Sequence, residues 1–438
     1  MEWWQVMGDH KRVEIRNVHE VRYYRAPPFK APDLVATLNP AENTLMWEPN
    51  LTAAANEDHK GYHALLAAFL RRAGRIAPTR PRSPMGCRRC GCWKLWCARW
   101  SRARPSGPDR SDHVTPYTAA YANVPDFIYG ITREIWEDRG IGGKLDGLYA
   151  PDILLRAATG LTTGNAGVTA QTLQTLHQFP DRQLVGEDVI WVGDEADGSF
   201  LSSHRLISVM RHQNAGSFGP ATNRLVTSRI IADCHVVRGV VMEEWLVRDQ
   251  AAFARCLGLE PRALAQQLVA QDLRLYGTVG FFLPEHDRPG RYVPRIEDAP
   301  EIAAYIEGYH RLWQVKDVSA VRDLYFHGAA LAAPGGDTRH GHMDIDRFYV
   351  GYLASFPDGE FSVQSATINR DPGQPARVAL RWSFRGTHSG FGHFGEPTNA
   401  PVYVMGMSHA HIVDGRITQE WMLTDEVSIW KQILAHGG

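Results

Sequence analysis

Apolar residues recur at helical spacing in two stretches of the chain. Ile302, Tyr305, Ile306, Tyr309, Leu312 and Trp313 share one helical face, and Ile128, Ile131, Ile135 and Trp136 do so earlier. Strand-like segments follow. Val378 to Arg385 alternates, Val402 to Val413 reads as a second long strand, and Asp414-Gly415 predicts a hairpin turn into Arg416 to Leu423. Helices first and an antiparallel meander afterwards predict an α+β fold. Between the two stretches, Phe281 to Pro300 is rich in Pro, Gly and charge and predicts an exposed linker.

The two stretches are related by an internal repeat. Arg205 to Asp249 lies on Arg381 to Asp425 without a gap, with fourteen of 45 positions identical. Chance gives about three. The match includes His212/His388, Thr222/Thr398, Asn223/Asn399, Glu244/Glu420 and Trp245/Trp421, and continues upstream, one residue out of step, through Phe179/Phe356 and Trp136/Trp313. The expected organisation is an N-terminal region of unknown role (1–116), a first copy (117–275), a linker (276–298) and a second copy (299–438).

Composition qualifies this in one place. Net charge is −1, from 47 basic and 48 acidic residues, which gives no overall bias toward nucleic acid or an anionic membrane. His59 to Pro108, however, holds twelve Lys and Arg and no acid, together with Cys87, Cys90, Cys92 and Cys97 among tryptophans. A zinc site, a single-strand nucleic-acid surface and a disordered insertion are the three readings; irregular cysteine spacing favours disorder over 71–112, without metal or nucleic acid. The longest apolar run, Ala64 to Leu70, is too short to span a membrane, and the N-terminus lacks a secretory pattern, so a cytoplasmic location is expected.

Arg381 to Gly390, Gly395-Glu-Pro-Thr398 and His411 to Trp421 resemble the SnoaL-like polyketide cyclase and ester cyclase branch of the NTF2-like superfamily. The resemblance implies two tandem cone-shaped barrels, each a curved sheet wrapped around a helix and enclosing an apolar pocket, that pair into an intramolecular pseudo-dimer, with a homodimer also possible. It further implies cofactor-independent and metal-independent cyclisation, isomerisation or lysis of a small hydrophobic carbonyl or ester compound. Positions 408 and 422 match the family's catalytic His and Asp. Here they are Ser408 and Met422, with Ala232 and Leu246 in the first copy.

Other groups must therefore carry any chemistry. If Asp414-Gly415 is a two-residue turn, His409 faces Glu420; if Gly415 is a bulge in a three-residue turn, the favoured register, Ser408 faces Glu420, and positions 408, 420 and 422 share the inner face. Glu420 and Glu244 are then the candidate bases, with raised pKa values in an apolar setting; the alternative is a structural pair with Arg381 or Arg205. His388 and His212, in a Gly-Thr-His-Ser-Gly-like loop, are candidate stabilisers of a developing enolate. Arg381, Ser408, Met422 and Trp313, with Arg205 and Leu246 in the first copy, are expected to contact substrate. Asp425 and Asp249 read as helix N-caps, and His409 and His411 as outer-face residues at an interface. His340 and His342, near Asp344 and Asp346, read as a solvated loop rather than a metal site. The competing function is a non-catalytic binder of a small apolar ligand.

Overall fold

The computed structural model describes residues 120–436 and, within residues 1–47, five strands. The chain divides into two units, 1–108 and 109–438. In the first unit, β1 (Trp3–Gly8), β2 (Lys11–Arg16), β3 (Glu20–Arg25), β4 (Ala36–Asn39) and β5 (Thr44–Trp47) form an antiparallel sheet in the order β1-β2-β3-β5-β4. The cysteine-rich segment 71–112 lies outside the described residues. Among the described residues no helix is long and apolar enough to cross a membrane.

The second unit contains two halves with the same element order. The first half runs α1 (Val124–Thr132), α2 (Gly143–Leu148), β6 (Tyr149–Ala157), β7 (Gly160–Thr163), α3 (Asn165–Gln178), β8 (Gln183–Asp194), β9 (Ser199–Arg211), β10 (Leu225–Val237), β11 (Val240–Arg248) and α4 (Gln250–Leu257), and α5 (Pro261–Tyr276) follows it. The second half runs α6 (Pro300–Tyr309), α7 (Ala320–Leu324), β12 (Tyr325–Ala332), β13 (Thr338–His340), α8 (Gly341–Ser355), β14 (Glu360–Asn369), β15 (Ala376–Thr387), β16 (Pro401–Val413), β17 (Arg416–Thr424) and α9 (Glu426–His436). Their sheets are ordered β7-β6-β11-β10-β9-β8 and β13-β12-β17-β16-β15-β14. Both are mixed, because β6 pairs with β11, and β12 with β17, in parallel.

The expected barrels do not close. Each sheet keeps two edge strands, since helices rather than further strand pairing cover its concave face. In the first half Phe127, Ile128 and Val168 from α1 and α3 pack with Leu155, Leu206, Ile230 and Leu246 from the sheet. Burying such side chains, at roughly 1.5–3 kcal/mol each, is what curls the sheet around its helices.

The β16–β17 hairpin corrects the expected register. Asp414 and Gly415 form a two-residue turn, both at positive φ (50° and 73°), which pairs Val413 with Arg416. That geometry matches the twist of the flanking strands and suits an Asp-Gly pair. The extra residue is Thr418 instead, so Ala410 opposes Glu420 and Ser408 opposes Met422. A displacement of two residues leaves each side chain on its original face. Ser408, Glu420 and Met422 are all fully buried. In β10 and β11 the same pattern sets Cys234 opposite Glu244 and Ala232 opposite Leu246.

The outer faces of the two sheets pack on each other. Leu201, Ile231, Trp245 and Val247 meet Met405, Met407 and Leu423 in one apolar cluster. Arg205 lies 3.6 Å over the Trp421 ring, and its counterpart Arg381 lies 4.0 Å over Trp245. Arg381 Nε also donates to Asp233 Oδ2 at 3.1 Å. At the matching contact Arg205 donates to His409 Nδ1 at 3.1 Å, so Nε2 carries the imidazole proton and donates to Ser203 Oγ at 2.8 Å. His409 thus sits between the sheets.

The segment expected to be an exposed linker is partly built into this contact. Phe282 and Tyr292 are buried. Glu243 and Arg156, ion-paired at 2.8 Å in the same region, require further partners. The linker backbone supplies them: Tyr292 N donates to Glu243 at 2.9 Å, and Arg156 donates to the His286 carbonyl at 2.9 Å.

Candidate functional site

Glu420 projects from β17 into the second half's core, where the phenols of Tyr305, Tyr309 and Tyr325 all donate to its carboxylate. A further shell fixes those phenols. Tyr325 meets the Tyr349 hydroxyl at 2.7 Å, Tyr309 meets Ser408 Oγ at 3.0 Å, and Trp382 Nε1 donates to Ser408 at 3.1 Å. Trp313 packs on Tyr349, Tyr352, Trp382 and Phe384. Burial pushes the Glu420 pKa up and the three phenols oppose that rise. The carboxylate is surrounded by protein groups that satisfy it, as in a core network.

In the first half the corresponding space is a cavity of about 70 Å³. By the same measure a single water needs roughly 10–15 Å³, so the cavity suits a few waters or a small organic molecule. Glu244, Leu246 and Arg248 reach it from one face of β11; His204, Arg182 and Thr172 complete its polar lining. Glu244 has one phenol partner, Tyr149 at 3.2 Å, against three for Glu420. Burial, only partly offset by Arg248 and Tyr149, pushes the Glu244 pKa up to about 7.

The difference lies in side-chain volume at matching positions. Laying Phe179 on Phe356 sets Ile128, Thr132, Thr172 and Thr175 against Tyr305, Tyr309, Tyr349 and Tyr352. Laying Arg205 on Arg381 sets Leu206 and Ile230 against Trp382 and Gly406. Gly406 is what admits the indole, since a Cβ there would meet the Trp382 ring at 2.3 Å. Aromatic rings therefore occupy in one half what remains open in the other.

The remaining sequence-derived residues fall into three groups. Ser408, Met422 and Trp313 stand with Glu420 in the filled core, and Leu246 stands with Glu244 at the cavity. Arg381 and Arg205 are on the outer faces and pair with Asp233 and Glu187, so the anticipated pairing with Glu420 or Glu244 is not formed. Alternation along β9 and β15 accounts for this, because the neighbours His204, Leu206 and Trp382 take the inner positions. His388 and His212 are buried loop pins. Their Nδ1 atoms lie 3.1 and 3.3 Å from Thr398 and Thr222 Oγ1, Phe356 and Phe179 pack on their rings, and burial lowers both pKa values. His212 is not among the cavity's lining residues.

Asp249 and Asp425 cap α4 and α9, accepting from Ala252 N and Ser428 N at 2.9 Å. His342 Nε2 donates to the Tyr325 carbonyl at 3.1 Å. Among the described residues no group of three or more His, Cys, Asp or Glu is placed to hold a metal. Sequence reasoning missed Arg182, His204 and the tyrosines' polar role. Arg248 carried a signal, since it has the parity of Glu244 and Leu246 in an otherwise apolar strand face.

A pH dependence follows from two carboxyls. Burial holds both Glu244 and Asp425 at about 7, above their ordinary values of 4.5 and 3.8. The folded chain therefore keeps protons that the unfolded chain releases across this window, and stability falls as pH rises from about 4 toward 7. Each group should contribute on the order of 1 kcal/mol per pH unit within it. Urea midpoints between pH 5 and 8 check this: Glu244→Gln with Asp425→Asn should flatten the slope.

Residues 303–433 match the family model described as SnoaL-like polyketide cyclase. Solved structures that resemble part of the chain include a SnoaL-like polyketide cyclase candidate from Jannaschia sp. CCS1, at 17% identity over 32% of this chain and 97% of that one, with a TM-score of 0.27. A candidate polyketide cyclase from Acidithiobacillus ferrooxidans follows at 16% identity, 32% and 98% coverage and a TM-score of 0.28. IdmH from Streptomyces antibioticus, another candidate polyketide cyclase, is 26% identical over 30% and 96%, with a TM-score of 0.25. No curated protein matches the chain. Within the second half, residues 303–433 are thus a domain of the SnoaL-like polyketide cyclase family.

Proposed function

We propose that the protein performs cofactor-independent acid/base chemistry on a small carbonyl or ester compound, and that it does so in the first half, read as a second and more diverged member of the same family. Glu244 is the base and Glu420 a structural counterpart that has exchanged its cavity for aromatic packing. The observation that carries this reading is the cavity itself, which brings together an under-partnered carboxyl and two guanidinium groups.

A carboxyl that titrates near neutrality is ionised in a useful fraction of molecules and still basic enough to remove a proton α to a carbonyl. The negative charge then develops on the carbonyl oxygen, where Arg248 or Arg182 stabilises it. Returning the proton at another carbon gives isomerisation; attack of the enolate carbon on an internal carbonyl gives cyclisation.

The test is exchange of α-hydrogens for solvent deuterium in small β-keto acids and esters, followed by NMR. Wild type should accelerate exchange with a pH profile bending near 7, and Glu244→Gln should lose at least about 100-fold while Glu420→Gln keeps the profile. Exchange that survives Glu244→Gln removes this reading. Binding without any exchange supports a ligand-binding role on the same scaffold instead.

A further inference from the structure

We propose that the first-half cavity selects a small carboxylate, a monoanion of a few heavy atoms that also bears a carbonyl, with Arg182 and Arg248 as the groups that hold its charge. This deepens the proposed function and rests on it for the location of the site, although not for turnover.

Charge count is the starting point. Arg182 and Arg248 both line the cavity, and Glu244 is its single acidic lining residue. Neither arginine has an ion pair among the described residues. Arg182 Nε donates to a neutral partner, Ser208 Oγ, at 3.2 Å, and Arg248 Nε is buried without any partner. His204, buried to 6% exposure, also lines the cavity with its Nδ1 unpartnered, and burial lowers its pKa to about 4, so it adds a neutral hydrogen-bonding group rather than a third charge. The carboxyls that act on this pair of cations, Glu244 and, outside the cavity lining, Asp425, are both held at about 7, so the site keeps an excess of positive charge that a bound anion would offset. Burial first, and then Arg248, already draws the Arg182 pKa down to about 9.

The second half supplies the control. The positions matching Arg182 and Arg248 are Gly359 and Thr424, so both cations occur only where the space is open. Size points the same way, since about 70 Å³ favours a compact ligand over a fused-ring one. The ligand expected from the sequence was hydrophobic; the lining argues for a compact anion.

Calorimetry of the full chain with acetoacetate and methyl acetoacetate tests this at neutral pH. Acetoacetate should bind roughly tenfold or more tightly than its ester. Arg248→Thr installs the residue the fold accepts at the matching position, and should cost acetoacetate that preference by weakening the acid's binding clearly more than the ester's. Glu244→Gln, which removes a like charge, should tighten acetoacetate binding. No heat with millimolar acetoacetate, equal affinity for acid and ester, or insensitivity of a folded Arg248→Thr protein overturns the proposal. Acetoacetate binding without deuterium exchange defeats the acid/base reading alone. Exchange in the ester with no preference for the acid defeats the carboxylate inference alone.

Discussion

Glu420→Ala should destabilise the protein by about 3–5 kcal/mol, whereas Glu244→Ala at pH 8 should change stability by less than about 1 kcal/mol. The two carboxyls occupy matching strand positions, so intrinsic propensity cancels and only their surroundings differ. Removing Glu420 withdraws the common acceptor of Tyr305, Tyr309 and Tyr325, all fully buried. Tyr309 keeps Ser408 and Tyr325 keeps Tyr349, but Tyr305 retains only a 3.4 Å contact with Tyr309. An orphaned buried phenol costs about 1–3 kcal/mol, and the vacated volume adds to it. Glu244 instead borders a cavity with one phenol partner, and above its pKa of about 7 its ionised form is itself unfavourable. Urea unfolding of both variants reads the difference. Equal losses would show that the phenol cluster is not the support described above.

Arg381→Ala should be comparably damaging, at about 3–5 kcal/mol, because it leaves Asp233 as an uncompensated charge between the sheets. The pair is 3.1 Å long and its side chains are 2% and 4% exposed. The guanidinium also covers the Trp245 ring. Asp233→Ala made alone should cost less, because Arg381 Nη1 keeps Asp287 Oδ1 at 3.9 Å, and the double replacement should cost clearly less than the sum, since the Asp233–Arg381 contact is then removed from both sides. A double-mutant cycle in urea measures this coupling. Strict additivity would mean that water reaches the pair. The matching contact, Arg205 with a neutral His409, should be far less sensitive to loss of its acceptor.

The fold was legible wherever the sequence repeats itself. Identical Thr-Asn, His and Asp-Gly or Arg-Gly positions mark the two loops and turns that need special backbone geometry: Asn223, Asn399, Arg238 and Asp414 all adopt positive φ. The inner face of β17 was legible as well, because an error of two residues in register preserves alternation. What could not be read was which half is hollow. Tyr305 and Tyr309 have the spacing of a core helix face whether their hydroxyls are idle or clamp a carboxylate, and that carboxylate lies over a hundred residues further on. Arg182 sits just before a strand, in no periodic context, and its relation to Arg248 exists only after α3, β8 and β11 have packed. Arg381 misled for a different reason: one residue of alternation separates the inner face from the outer, and conserved type between the halves reflected the sheet contact instead.

That contact joins two surfaces carried by one chain, with Arg205 over Trp421 and Arg381 over Trp245. Were the halves separate subunits, their association would follow mass action, and dilution would strip the outer face of the hollow half. A covalent tether replaces that dependence with a fixed effective concentration, typically millimolar for a short linker. The hollow half thus keeps its partner at any protein level.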